Sequence, residues 1–349
     1  MKIPVGILGA TGAVGQRFVQ LLSDHPWFEV AEVAASDRSA GKPYGQACTW
    51  RLPGAPPAAV GSLTVKTTDG PFEARLLFSG LDSSVAGDVE TALAAKGYAV
   101  VSNSRNHRMD ADVPLLIPEI NPDHVAALDI QRKKTGGGYI VTNPNCSVVG
   151  LAMALAPFQK AIGIEAVAVV TLQALSGAGY PGVASLDVAD NVIPFIGGGE
   201  EEKIETEPLK ILGDFVGGAF RPAEIQISAS VHRVAVSDGH TMAAFLRLAR
   251  KISADEARRL LADFRGEPQA RKLPFAPARP IHVLDESDRP QPRLDRDREH
   301  GMAVSVGRVR EADGHFHLKL EALVHNTIRG AAGAAILNAE LLTERGLLP

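Results

Sequence analysis

Between Ile3 and about Asn143, short apolar runs alternate with stretches in which apolar residues recur at helical spacing. That alternation is the pattern of a parallel sheet covered by helices. The runs Val5–Leu8, Val30–Ala35, Leu76–Ser79, Ala99–Ser102 and Tyr139–Thr142 predict the strands, and Val14–Ser23, Val85–Lys96 and Asp123–Lys134 the helices. A further apolar helix, Val148–Phe158, follows the last strand. Beyond it the texture becomes period-two alternation over Ala166–Ala174, Ile225–Val236, Met242–Ala249, Ala303–Arg310 and His315–Val324, which predicts a mostly antiparallel second sheet. The final Ala-rich helix, Thr327 to Glu344, is expected to pack back on the first unit. The organisation is therefore α/β over 1–143 joined by 326–349, with an α+β unit over 144–325. Two stretches read as irregular: a basic, glycine-rich surface loop from Arg132 to Gly138, and a solvated, semi-extended segment from Asp285 to His300.

Composition narrows the function. The 349 residues are 45% hydrophobic, enough for two domains with a substantial core. Thirty-six basic against forty acidic side chains give a net charge of -4, with no electrostatic footprint for nucleic acid or anionic lipid. A small-molecule partner is expected instead. No apolar run approaches the ~20 residues that span a bilayer. The chain enters its first strand without signal-peptide architecture, so a cytosolic protein is expected. Two cysteines, Cys48 and Cys146, make no disulfide framework, and the ten histidines show no metal-ligand spacing. No metal is expected, and Cys48 is assigned only to packing.

The segment Gly9-Ala10-Thr11-Gly12-Ala13-Val14-Gly15 follows the first strand and opens the first helix. Glycines in that position permit a tight turn and let backbone N–H groups approach a pyrophosphate at the helix N-terminus. At the end of the second strand, Ser36-Asp37-Arg38-Ser39 offers hydroxyls and a guanidinium suited to a 2′-phosphate, which favours NADP. Asp37 keeps NAD open, because a carboxylate there suits a ribose 2′-OH.

Thr142-Asn143-Pro144-Asn145-Cys146-Ser147 places a cysteine between an apolar strand and an apolar helix. Unpaired N–H groups and the helix dipole at such a junction favour a thiolate. The competing reading, a buried cysteine acting as a small hydrophobe, fits poorly with a turn of Asn, Pro and Asn. A thiol delivered by a nicotinamide-binding unit suggests thioester chemistry, in which the cysteine takes an acyl group and hydride reduces it. Partners for that chemistry occur in Asp238-Gly239-His240-Thr241, in Arg233 seven residues earlier, and in Ser176-Gly177-Ala178-Gly179.

Over essentially its whole length the chain resembles the aspartate-β-semialdehyde dehydrogenases, particularly the branch found in archaea and fungi. The resemblance is carried by the glycine turn through Phe18, Ala35–Gly41, Asn143–Ser147, Gln173–Tyr180, Arg233–Thr241 and His325–Gly333. It implies a Rossmann-like NADP-binding domain and an α+β catalytic and dimerisation domain. It implies the conversion of L-4-aspartyl phosphate to L-aspartate 4-semialdehyde through a cysteine acyl-thioester, serving lysine, threonine and methionine synthesis.

By resemblance, Cys146 is the nucleophile, His240 the acid/base and Gln173 the residue that orients the thioester. Arg233 matches the arginine for the substrate α-carboxylate, Glu200 the glutamate for the amino group, and Lys203 the lysine near the phosphate. Arg108, with Asn145, matches the phosphate-side anion site, although Arg105 in the same segment could also reach an anion. Read alone, Glu200-Glu201-Glu202-Lys203 is a solvated helix start. For the cofactor the resemblance implies the turn at Gly9 with Thr11, Gly12, Ala13 and Val14 for the pyrophosphate. Ser36, Arg38 and Ser39 would meet the 2′-phosphate, Ser79 and Gly80 line the crevice, and Ser176, Gly177 and Asn326 hold the nicotinamide side. A homodimer or homotetramer is implied. The rivals are a malonyl-CoA reductase of the same fold, the more distant N-acetyl-glutamyl-phosphate reductase, and a non-catalytic nucleotide-binding redox sensor.

Overall fold

The computed structural model describes residues 2–349. Two sheets organise it. The first is wholly parallel, in the order β2-β1-β3-β4-β5, with β1 at Ile3–Leu8, β2 at Phe28–Ala34, β3 at Leu76–Ser79, β4 at Ala99–Ser102 and β5 at Tyr139–Thr142. Three of these strands have the bounds that their apolar runs predict, because each run is buried on both faces and is cut off by polar or glycine residues. The strand order reverses between β1 and β3, where Gly9 and Gly80 abut. Crevices for ligands open at such a reversal, at the carboxyl ends of the strands.

The second sheet has seven strands in the order β12-β13-β14-β11-β6-β10-β7. Its members are β6 (Ile164–Gln173), β7 (Ile193–Pro194), β10 (Gln226–Arg233), β11 (His240–Leu248), β12 (Ile281–Leu284), β13 (Val304–Glu311) and β14 (Leu318–Val324). A hairpin, β8 (Asp214–Val216) with β9 (Ala219–Arg221), stands apart. Pairing in the large sheet is antiparallel except for β10 with β6 and β12 with β13. Alternation along β6 buries Val167, Val169, Thr171 and Gln173 and leaves Val170 and Leu172 exposed on the far face, beside Phe245 of β11.

The helix Cys146–Ala161 runs out of β5 and is buried along nearly its whole length, packed with Ile204 and Ile211 against the second sheet. At the other end of the chain, Ala335, Ile336, Leu337, Leu341 and Leu342 join the core of the first sheet, as the Ala-rich pattern leads one to expect. His25 and Glu340 fasten that helix by a buried 2.7 Å contact.

Three segments differ from expectation. The helix expected from Thr327 is interrupted: Ile328–Ala332 is a wide turn with Ala331 out of helical conformation, and the regular helix is Gly333–Glu344. The Asp123–Lys134 helix starts as a tight 3₁₀ turn, Pro122–Ala127, before Leu128–Thr135. The Asp285–His300 segment is not simply solvated. Asp295 is buried, and Arg289, Arg298 and the Gln291 N–H converge on its carboxylate, which folds the charged residues inward as a network. Composition reports charge but not its pairing.

Candidate active site

Register builds the site. In the parallel pair β10–β6, Arg233 lies beside Gln173, and in the antiparallel pair β11–β6 Thr241 lies beside Leu172. The ends of three neighbouring strands therefore bring Gln173, Arg233 and His240 to one edge of the sheet. The helix beginning at Cys146 meets that edge.

Cys146 Sγ lies 3.2 Å from His240 Nε2. The ring is held from behind, because the Ala174 N–H donates to His240 Nδ1 at 3.0 Å and Arg233 Nη1 donates to the Ala174 carbonyl at 2.7 Å. A backbone N–H can only donate, so Nδ1 accepts and the proton of the neutral ring sits on Nε2, facing the sulfur. His240 therefore stands as a donor toward Cys146. Burial, with Arg233 and His325 nearby, pushes its pKa down to about 3. For the thiol the helix N-terminus is opposed: burial and the Glu200 charge push Cys146 up to about 12, against Arg108, Arg233 and Lys203. The expectation of a ready thiolate is thus corrected: burial outweighs the helix N-terminus.

Asn145 caps the Cys146 helix, its side-chain oxygen accepting from the Ser147 and Val148 N–H groups at 2.9 and 3.3 Å. Its amide donates to Glu200 Oε1 at 2.9 Å, which Gln173 also meets at 3.2 Å, while Lys203 pairs with Glu200 Oε2 at 3.1 Å. Glu200 is thus buried at the centre of a polar cluster, not on the solvated helix start that its acidic neighbours suggest. Arg108 is buried, donating to Glu207 Oε1 and to the Asn103 carbonyl, both at 2.9 Å. Arg105 is exposed and donates to the Gly198 carbonyl at 3.0 Å. Arg108 lines both the Cys146 cleft and the neighbouring hollow that holds Lys203, whereas Arg105 lines only the hollow.

The cleft, about 210 Å³, is lined by Ala13, Val14, Asn145, Cys146, Ser176 and Asn326 among others. Asn326 donates to Ser176 Oγ at 2.8 Å and accepts from the Gly239 N–H at 2.8 Å, tying the two turns together. Gly12 caps the helix Ala13–Leu22 without any side-chain oxygen, and no acidic residue stands in its first turn. Gly9 adopts a φ of +73°, and a Cβ on Gly15 would lie 2.2 Å from the Gly9 carbonyl oxygen. Bare donors in a turn that only glycine can make fit a pyrophosphate. Ser36 and Arg38 are exposed after β2 and Ser39 is half-buried, which leaves their polar groups available to a 2′-phosphate. Ser79 is a correction: its side chain is fully buried and its hydroxyl donates to Glu90 at 2.6 Å, so only Gly80 of that pair adjoins the glycine turn.

Two residues escaped sequence reasoning. Glu207 and Lys210 lie on the helix Glu200–Ile211, buried beside Arg108 and its loop; Lys210 donates to the carbonyls of Arg108, Asp110 and Val113. A signal was present, since Glu200 and Glu207 fall on the same stripe as Ile204 and Ile211, where a surface helix buries apolar side chains.

A dinucleotide-type crevice meeting a thiol–imidazole pair at the edge of a second sheet defines the class of thiol-dependent dehydrogenases. Residues 4–128 match the family model "Semialdehyde dehydrogenase, NAD binding domain", and residues 155–329 match "Semialdehyde dehydrogenase, dimerisation domain". The chain is 50% identical to the aspartate-semialdehyde dehydrogenase of Methanothermobacter thermautotrophicus, covering 98% of this chain and 99% of that one. It is 47% identical to that of Schizosaccharomyces pombe, covering 99% of both. The crystal structure of the Candida albicans enzyme with NADP superposes with a TM-score of 0.92 at 42% identity over 100% of both chains. The Vibrio cholerae aspartate semialdehyde dehydrogenase II complexed with ASA gives 0.78 at 26% identity over 99% of both. The chain belongs to the aspartate-semialdehyde dehydrogenase family.

Proposed function

We propose that this protein is an NADP-dependent aspartate-semialdehyde dehydrogenase that converts L-4-aspartyl phosphate to L-aspartate 4-semialdehyde and phosphate, in the synthesis of lysine, threonine and methionine. The observation that carries this reading is the 3.2 Å approach of Cys146 Sγ to His240 Nε2, in a cleft whose other wall is the glycine turn.

Cys146 attacks the acyl carbonyl. The C–S bond forms, the C–O bond to phosphorus breaks, and its electron pair leaves with the thiol proton as hydrogen phosphate. Bound NADPH supplies the hydride that reduces the thioester. His240, through Nε2–H, donates to the oxygen that gains charge in each step, the larger part of such catalysis. Collapse of the hemithioacetal frees the aldehyde and expels the sulfur as thiolate, which regains its proton from solvent, so the reduction consumes one proton with the hydride.

Gln173 orients the thioester, Arg233 takes the α-carboxylate, Glu200 the amino group, and Arg108, Asn145 and Lys203 the phosphate. Their convergence on one cluster supports these roles. Ser36, Arg38 and Ser39 hold the 2′-phosphate; Gly9, Thr11, Gly12, Ala13 and Val14 the pyrophosphate; and Gly80, Ser176, Gly177 and Asn326 the nicotinamide side. In this reading 1–143 with 326–349 bind cofactor, and 144–325 catalyse and dimerise. Exposed Val170, Leu172 and Phe245 on the far sheet face, with Phe195, support a homodimer built on that surface. The two free cysteines suit a reducing, cytoplasmic setting. No helix among the described residues is long and apolar enough to cross a membrane.

The test is NADP reduction with L-aspartate semialdehyde, with and without inorganic phosphate, run beside NADPH oxidation with malonyl-CoA. Phosphate-dependent turnover of the semialdehyde supports the reading. Activity confined to malonyl-CoA moves the function to the rival reductase.

A further inference from the structure

Glu207 touches the two halves of the site at once. Its Oε1 accepts from Arg108 Nη1 at 2.9 Å, and its Oε2 accepts from the backbone N–H of Asn145 at 2.7 Å. The side chain is only 3% exposed. Asn145 is the residue whose side chain caps the Cys146 helix, so Glu207 grips the backbone N–H of the residue before the nucleophile while Glu200, two turns earlier on the same helix, grips the Asn145 side chain. The Arg108 guanidinium is fixed on two sides, by Glu207 and by the Asn103 carbonyl, and its Nε has no partner in the protein.

We propose that Glu207 is a positioning residue that sets the distance and orientation between the anion-side guanidinium of Arg108 and the nucleophile Cys146. The inference rests on the reading of Arg108 as part of the phosphate site. A carboxylate is required by the donor count. Both partners are N–H groups, and two carboxylate oxygens accept from both. A carboxamide of the same shape can accept from one only and turns an NH₂ toward the other. Removing one acceptor from a buried pair leaves a charged donor uncompensated, so the guanidinium swings away and not merely to a weaker contact.

The test compares Glu207→Gln and Glu207→Asp with the wild-type protein in two readouts. The first is the KM split in the semialdehyde-oxidising direction. The second needs no turnover: alkylation of Cys146 by iodoacetamide, followed by mass spectrometry across a titration of inorganic phosphate, which protects the thiol when bound beside Arg108. For Glu207→Gln the KM for phosphate and the protection midpoint both rise at least tenfold, while the KM for NADP stays within twofold. Glu207→Asp keeps the charge but spans less, and falls between the two. It also serves if the Gln variant does not fold. In an Arg108→Ala background Glu207→Gln changes the phosphate KM less than twofold, because the guanidinium it orients is gone. Phosphate KM and protection midpoints within twofold of wild type in both single variants overturn the proposal, as does an equal loss in every parameter. If the wild-type chain shows no phosphate-dependent turnover, the functional reading falls instead, and a protection midpoint that still moves with Glu207 separates the two failures.

Discussion

Gly177→Ala puts one methyl group into the catalytic cleft. A Cβ on Gly177 would lie 2.9 Å from Arg233 Nη1, 3.0 Å from His240 Cε1 and 3.1 Å from His240 Nε2. Ordinary contacts are about 3.5–4.0 Å, so the ring and the guanidinium must each give way by roughly 0.5 Å or more. Neither is free to do so. Ala174 holds His240 by its N–H and Arg233 by its carbonyl, and a shift stretches both bonds. The displaced atom is the donor that faces Cys146 Sγ. Misplacement of a reacting group by about 1 Å costs on the order of 10²-fold in rate, or about 2.7 kcal/mol. Stability suffers less, because Gly177 is exposed in a turn with ordinary backbone angles; crowding there costs about 1 kcal/mol, a fall in Tm of roughly 2–4 °C. The assay is kcat/KM for phosphate-dependent NADP reduction, with a thermal melt alongside. A variant within threefold of wild-type activity would refute the claim that His240 and Arg233 are held without slack.

Arg38→Ala should raise the KM for NADP about 10- to 100-fold, by loss of a charge-assisted contact of about 1.5–3 kcal/mol, and leave that for NAD within threefold; equal losses would remove Arg38 from the 2′-phosphate. Asn145→Ala removes the cap of the Cys146 helix, about 1 kcal/mol, and one donor to Glu200. It should lower Tm by a few degrees and activity by at least tenfold, and an unchanged kcat would count against a role for the cap. Asp295 is raised by burial but held down, by Arg289, the Gln291 N–H and Arg298, to about 2 from its ordinary 3.8. Since the depressed carboxyl stabilises the fold only while ionised, its roughly 2 kcal/mol is present above about pH 4 and is lost as pH falls toward 2. The Tm gap between wild type and Asp295→Asn should therefore narrow between pH 5 and 3. A gap constant over that range would contradict the linkage.

The fold was legible wherever one physical constraint acted alone. Short runs buried on both faces, such as Leu76–Ser79 and Tyr139–Thr142, had their strand bounds written in hydrophobicity. The glycine turn was legible because a positive φ at Gly9 and the closeness of Gly15 to its carbonyl leave no alternative residue. Where long-range partners decide, the local pattern misled. Asp295 looked solvated because its arginines neutralise it only after folding, and Glu200 looked like part of a solvated helix start because its partners Asn145 and Gln173 are 55 and 27 residues away. Ser79 stood at the right strand end but faced Glu90. The burial of Glu207 could be read from its place on the stripe with Ile204 and Ile211, but its partners, 99 and 62 residues distant, could not.

The thiol shows how far a local rule reaches. A cysteine at a helix N-terminus has a lowered pKa when the helix is the main influence on it. Here the sulfur is buried and feels the Glu200 charge, and those influences push it up to about 12 despite three cations nearby. His240 cannot relieve this by taking the proton at Nε2, since that nitrogen already carries one while Ala174 occupies Nδ1. The direction of both shifts is the same: burial favours the uncharged thiol beside an uncharged imidazole. The helix N-terminus is therefore one influence among several, and at Cys146 burial outweighs it.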